Sequence, residues 1–157
     1  MQRKTLSKEQ AYQKLKHYCG YQERCHSEVK TKAYSLGLRK TEVEELTSKL
    51  IEEDYLNEEQ FAKLYAGGKF RIKQWGRIKI KAELKQKRVS EYCVNKAMKE
   101  IGQKEYLSVL NKLGQKKWDA VKGKGINLFV KTNRTRNYLL SKGYESEFIS
   151  QALKDLQ

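Results

Sequence analysis

The sequence predicts an all-α protein of three tandem three-helix repeats, helix-turn-helix-like units that work along an extended surface rather than in one deep pocket. Three observations predict it. Val43, Leu46 and Leu50 stand at i, i+3 and i+7, and the spacing returns as Val94, Ala97, Ile101 and as Ile149, Ala152, Leu156, one apolar helix face written three times. Five residues ahead of each first member stands Leu38, Val89 or Tyr144, preceded by Gly37, Arg88 or Gly143, so each repeat holds a helix, its stop and the next helix. The offsets of 51 and 55 residues are those of small helical units that bury their apolar faces against their neighbours. Finally, average usage would place about eight prolines in a chain of this length, and there is none, as suits long helices joined by short turns.

The elements follow in order. Ser7 with Gln10 forms a capping box, with Leu6 placed to staple onto Ala11, and opens a first helix over about 8–19. A second helix spans about 24–36 and stops at Gly37, which takes the left-handed conformation without steric cost. Thr41 with Glu44 reads as another capping box, opening a third helix over about 42–53. Asn57 with Gln60, and Leu56 with Phe61, repeat the first start signal 50 residues on. The second unit runs to about 101, with Trp75, Ile78, Ile80 and Leu84 in its middle helix and Ser90 capping the last. Arg88 stands where the other units have glycine. If the turn is left-handed, an arginine there costs roughly 1 kcal/mol, which would mean that the basic side chain is wanted at this position; the alternative, that this turn simply differs from the others, is preferred. The third unit begins with a helix over about 104–121, followed by the loop Lys122-Gly123-Lys124-Gly125. Two more helices follow, one through Leu139 and Leu140 and one from Ile149 to Leu156. The repeat boundaries are thus 1–56, 57–102 and 103–157.

Charge is the second signal. Lys and Arg number 34 against 19 Asp and Glu, a net +15, and the distribution is uneven. Between Lys69 and Arg88 lie nine bases, Lys69, Arg71, Lys73, Arg77, Lys79, Lys81, Lys85, Lys87 and Arg88, against the single acid Glu83. Glu42–Glu59 is the reverse, eight acids to one base, Lys49. Lys79, Lys81, Lys85 and Arg88 cannot share one helical stripe, so they form a wide field that attracts phosphates with salt-dependent, sequence-indifferent affinity. Tyr65, Phe70 and Trp75 lie nearby and have the rings to stack on single-stranded bases. Aromatics at helical spacing are more often core, and Phe61, Tyr65 and Trp75 are placed there first. Lys131, Arg134 and Arg136 make a second basic patch.

Met1–Gln10 lacks the apolar stretch of an export signal, and no window approaches a membrane span, so a cytoplasmic protein is expected. Cys19, Cys25 and Cys93 are an odd count that favours reduced thiols. Cys19 and Cys25 lie between His17 and His26, but the spacing matches no common zinc pattern; small half-buried thiols at a helix end are the better reading. The usual catalytic constellations are absent, and Glu52 and Glu53 read as a solvated helix face rather than nuclease ligands. No enzyme, metal or cofactor is expected.

Arg24-Cys25-His26-Ser27-Glu28-Val29, Lys32-Ala33, Leu36-Gly37-Leu38, Tyr55-Leu56-Asn57-Glu58-Glu59-Gln60-Phe61-Ala62, Gly76 ahead of Ile80 and Leu84, and Tyr138-Leu139-Leu140-Ser141-Lys142-Gly143-Tyr144 together resemble the RecX family of bacterial recombination regulators. The resemblance covers nearly the whole chain through the order and spacing of several motifs. It implies three three-helix repeats in a curved, elongated monomer that binds the RecA filament on single-stranded DNA, hinders its extension, and suppresses its ATPase and strand exchange. Ser27, Glu28, Phe61, Ala62 and Gly76 are carried over as structural motif positions, with Gly37 and Gly143 at the turns. Asn57, where the family commonly has an acid, and Arg88, where glycine is usual, depart from its pattern. The alternative function is a stand-alone DNA-binding protein acting through its helix-turn-helix-like units.

Overall fold

The computed structural model describes residues 6–157; residues 1–5, part of the segment read for an export signal, lie outside it. The described residues form nine α-helices and no strand: α1 (Lys8–Tyr21), α2 (His26–Ser35), α3 (Lys40–Glu52), α4 (Glu58–Arg71), α5 (Arg77–Gln86), α6 (Glu91–Lys99), α7 (Gln103–Ala120), α8 (Leu128–Ser141) and α9 (Ser146–Leu156). None is long and apolar enough to cross a membrane. The start signals act largely as the sequence predicts. Ser7 Oγ accepts the Gln10 N–H while Gln10 Oε1 accepts the Ser7 N–H. The Asn57 side chain caps α4 through the Gln60 N–H, and Ser90 caps α6 through the Cys93 N–H. The exception is Thr41 with Glu44: α3 begins at Lys40, and Glu42 accepts the Arg39 N–H instead, which moves the start two residues upstream. The Lys122–Gly125 segment is a loop.

The chain divides into two compact units that cut across the middle repeat. The first reaches Tyr65 and adds Leu84–Ala97; the second takes Ala66–Glu83 and Met98–Gln157. In unit 1, Ala11, Leu15 and Cys19 line one face of α1, Val29 and Ala33 one face of α2, and Val43, Leu46 and Leu50 the predicted face of α3. These residues close a single apolar core, each contributing roughly 1–3 kcal/mol according to side-chain size. In unit 2, Tyr106 is fully buried, with the Phe70 ring 5.8 Å and the Tyr144 ring 5.2 Å away. Its hydroxyl donates to Glu145 and accepts the Arg77 N–H. The Tyr144 hydroxyl donates to the Gln74 carbonyl at 2.8 Å.

The three repeat turns are the same turn. Gly37, Arg88 and Gly143 all have positive φ, at 88°, 59° and 96°. In each, the turn residue and the apolar residue after it donate to carbonyls of the preceding helix: Gly37 to Tyr34 and Leu38 to Ala33, Arg88 to Lys85 and Val89 to Leu84, Gly143 to Leu140 and Tyr144 to Leu139. This is the Schellman arrangement, in which the residue after the left-handed position seals the helix end with an apolar contact; Leu38, Val89 and Tyr144 are all buried. The expectation that the Arg88 turn differs is therefore corrected. Hydrogen bonding at the helix end imposes the left-handed conformation, and the arginine bears its cost of about 1 kcal/mol.

Two aromatic expectations change as well. Trp75 precedes α5 rather than lying in it, because the α4 helix ends at Arg71 and a left-handed Gln74 redirects the backbone. Phe61 is buried, whereas Tyr65 and Trp75 are only half-buried. Ile80 and Leu84 supply the apolar face of α5; Ile78 does not, being 52% exposed.

Candidate functional site

The basic run falls on both units. In unit 2, Lys69 on α4 and Lys79 on α5 bring their ammonium groups to 4.9 and 4.5 Å from the Trp75 ring centroid, a cation–aromatic arrangement worth roughly 0.5–1 kcal/mol per contact near solvent. Lys142, absent from the predicted set, donates to the Lys73 carbonyl at 3.0 Å. Arg71, Lys73 and Lys81 are exposed. Arg77 is committed to the interior of unit 2. Its guanidinium stacks 3.8 Å from the Tyr106 centroid, donates to Gln103 Oε1 at 2.8 Å and pairs with Glu145 Oε2 at 3.4 Å. Its charge therefore holds the unit together instead of facing a partner.

In unit 1, Lys85 and Arg88 are exposed, and Lys87 pairs with Glu28 Oε2 at 3.8 Å. The second predicted patch lies in unit 2 and is mixed. Lys131 sits 5.0 Å from the Trp118 ring, Arg136 donates to Ser150 Oγ at 3.1 Å, and Arg134 is exposed.

The motif residues hold one helix start against a turn in each unit. In unit 2 the Gly76 N–H donates to the Lys142 carbonyl at 2.7 Å and the Ile78 N–H to the Gly143 carbonyl at 2.9 Å, so the start of α5 lies directly on the α8–α9 turn. A Cβ on Gly76 would fall 2.3 Å from the Gly143 carbonyl, and one on Gly143 would fall 2.3 Å from Lys79 Cβ. In unit 1 the start of α2 meets the α5–α6 turn through side chains: Ser27 Oγ donates to the Lys87 carbonyl at 2.5 Å, and Glu28 accepts the Cys25 N–H while pairing with Lys87. Phe61 and Ala62 are buried on α4.

Most of the acidic run is consumed within unit 1. Glu45 pairs with Lys8 at 2.6 Å, Glu53 accepts the Tyr12 hydroxyl at 2.6 Å, Glu58 meets His26 Nδ1 at 2.8 Å, and Glu59 pairs with Lys63 at 3.4 Å. With Glu42 at the α3 start, these acids stabilise helix ends and packing, a use the charge count alone does not reveal. Cys19 and Cys25 are buried rather than half-buried. Burial pushes both thiols above their usual range, which makes them poor nucleophiles. Among the described residues no three His, Cys, Asp or Glu side chains converge as metal ligands would.

A polar cleft of about 660 Å³ opens in unit 1, lined by His26, Lys30, Tyr34, Lys40, Glu44 and Arg88 among others. Its cations come from α2, the start of α3 and the α5–α6 turn. Of these only Arg88 belongs to the predicted site, because no local pattern connects residues so far apart in the chain.

The chain matches the family model of the RecX second three-helix domain over residues 57–98 and that of the RecX third three-helix domain over residues 104–153. It is 28% identical over 129 residues to the regulatory protein RecX of Clostridium tetani, covering 82% of this chain and 59% of that protein. It is 24% identical over 145 residues to the regulatory protein RecX of Geobacillus kaustophilus, covering 92% and 53%. The chain thus spans between half and three-fifths of the length of these relatives. The crystal structure of RecX from Lactobacillus salivarius superposes with a TM-score of 0.86 at 23% identity, covering 95% of this chain and 96% of that one, a likeness of fold. A second crystal structure of a regulatory protein RecX gives a TM-score of 0.84 at 20% identity, covering 94% and 71%. Successive RecX domains matched in order, on helices that repeat one Schellman turn three times, show that the chain belongs to the RecX family.

Proposed function

We propose that this chain is a negative modulator of the RecA recombinase, a cytoplasmic monomer that binds the RecA filament on single-stranded DNA and limits its extension, ATPase and strand exchange. The observation that carries the reading is the match to two successive RecX domains, whose curated relatives are named regulatory proteins. Its modules are 1–56, 57–102 and 103–157. The protein works by binding, without catalysis, through the exposed cations Arg71, Lys73, Lys81 and Arg134 and the Lys69–Trp75–Lys79 group of unit 2, and through the exposed Lys85 and Arg88 of unit 1. A modulator shifts an assembly only by the difference in its affinity for the two states, so inhibition requires tighter binding to the filament that does not extend. Contacts made by exposed lysines and arginines weaken with salt.

The test is DNA-dependent ATP hydrolysis by RecA on single-stranded DNA with this protein titrated in far below the recombinase concentration. Inhibition at such ratios is expected, because blocking an assembly takes few copies. A triple variant, Arg71→Glu, Lys73→Glu and Lys81→Glu, should keep its helicity and inhibit at least tenfold less well. Absence of inhibition by the unaltered chain at equal concentration, with DNA binding retained, would overturn the reading in favour of a stand-alone DNA-binding protein.

A further inference from the structure

We infer that the Arg88 cleft of unit 1 is a discrete binding site for the phosphate backbone of a single-stranded nucleic acid. Two other non-glycine residues, Asp54 and Gln74, also have positive φ, so backbone conformation alone does not single Arg88 out. Three further observations do. The equivalent turns carry glycine at 37 and 143, so the fold is served by a residue without a side chain. The Arg88 side chain is exposed and makes no hydrogen bond, ion pair or ring contact within the described structure, so nothing internal compensates its conformation. It also lines a cleft with Lys30 and Lys40, two more exposed cations without internal partners among the described residues, and with the imidazole of His26.

The three uncommitted cations outnumber Glu44, the one acid in the lining, so the cleft keeps a net positive charge that attracts an anion. Strained residues held by their surroundings gather at such ligand sites. The His26 ring is held from behind, its Nδ1 2.8 Å from the Glu58 carboxylate, which leaves Nε2 for a ligand. The lining favours a nucleic acid over an acidic peptide. Thr31 adds a hydroxyl of the kind that contacts phosphates, and Tyr34, 49% exposed at the same cleft, offers a ring on which a base can stack. The site rests on the proposed function only in taking Arg88 as one of its contact residues, and it requires no recombinase.

The test is equilibrium binding of a fluorescent oligothymidylate to the full chain across a salt series. Arg88→Gly removes the charge while giving the turn the residue its two counterparts have, so its melting temperature should equal or exceed that of the parent. Its affinity should fall about tenfold, as for loss of a hydrogen bond to a charged group, and the logarithmic salt slope should lessen by about 0.7. Lys30→Gln with Lys40→Gln, which leaves the turn untouched, should lower the slope about twice as much. Parental affinity and slope in both variants would overturn the site. So would unchanged DNA binding in variants that have lost binding of polyglutamate, which would assign the cleft to an acidic peptide. Loss of DNA affinity in Arg88→Gly beside a parent that leaves RecA hydrolysis unaltered would sustain the site and sink the recombinase reading.

Discussion

The α8–α9 turn of unit 2 and the α5–α6 turn of unit 1 have the same hydrogen bonds and opposite tolerances. At Gly143 the α5 backbone packs so closely that Lys79 Cβ lies 2.3 Å from where a side chain would begin. At the α5–α6 turn the helix start comes in through the Ser27 hydroxyl, which reaches the carbonyl of Lys87, and Arg88 itself stays exposed. A helix start that approaches through its backbone needs glycine on both sides, Gly76 and Gly143; one that approaches through a side chain leaves the neighbouring turn position open to an arginine. Gly37 has the left-handed φ of the other two turns, with no atom within 4 Å of where a Cβ would stand, so it isolates the conformational cost alone.

The largest expected effect tests that contrast. Gly143→Ala adds a steric clash to a left-handed alanine and should cost about 2–4 kcal/mol, whereas Gly37→Ala should cost only about 1 kcal/mol. Urea denaturation measures both, and equal losses would refute the role given to close backbone contact. Ser27→Ala should cost about 1–3 kcal/mol, since the Lys87 carbonyl loses its side-chain donor; a change within error would show that Glu28 and Lys87 suffice to hold α2 in place.

A smaller effect should appear at alkaline pH in unit 2. Burial, and secondly the hydrogen bond to Glu145, raises the Tyr106 pKa; burial also raises that of Tyr144. In the unfolded chain tyrosine ionises near pH 10, so the folded protein holds protons that the unfolded chain releases. The stability these groups contribute is fully present below about pH 10 and is lost as pH rises toward their higher folded values. Tyr106→Phe should flatten that alkaline decline in a denaturation series, and an unchanged decline would count against a buried, protonated Tyr106.

Local chemistry makes much of the fold readable. The Ser7, Asn57 and Ser90 caps and the glycine stops are decided within a few residues, and the helices obey them; the i, i+3, i+7 face holds in full on α3 alone of the three, because α6 ends at Lys99, before Ile101, and α9 buries Leu153 and leaves Leu156 half-buried. The start of α3 departs from its predicted place because a glutamate two residues nearer competes for the same cap, with nothing in the spacing to favour one over the other. Among the candidate site residues, Arg71, Lys73 and Lys81 are exposed as their charge suggests, but Arg77 has the same local appearance and is held inside by Tyr106, Gln103 and Glu145, all more than twenty residues away.

What the sequence by itself determined is the helical class, the threefold period, the positions of the turns and the excess of positive charge, because each depends on interactions between neighbours along the chain or on composition. Tertiary structure alone decided which charges are spent internally, why Gly76 and Gly143 must both be small, and that Lys30, Lys40 and Arg88 line one cleft. Those outcomes depend on distances between segments far apart in sequence, and such distances exist only once the apolar faces have packed.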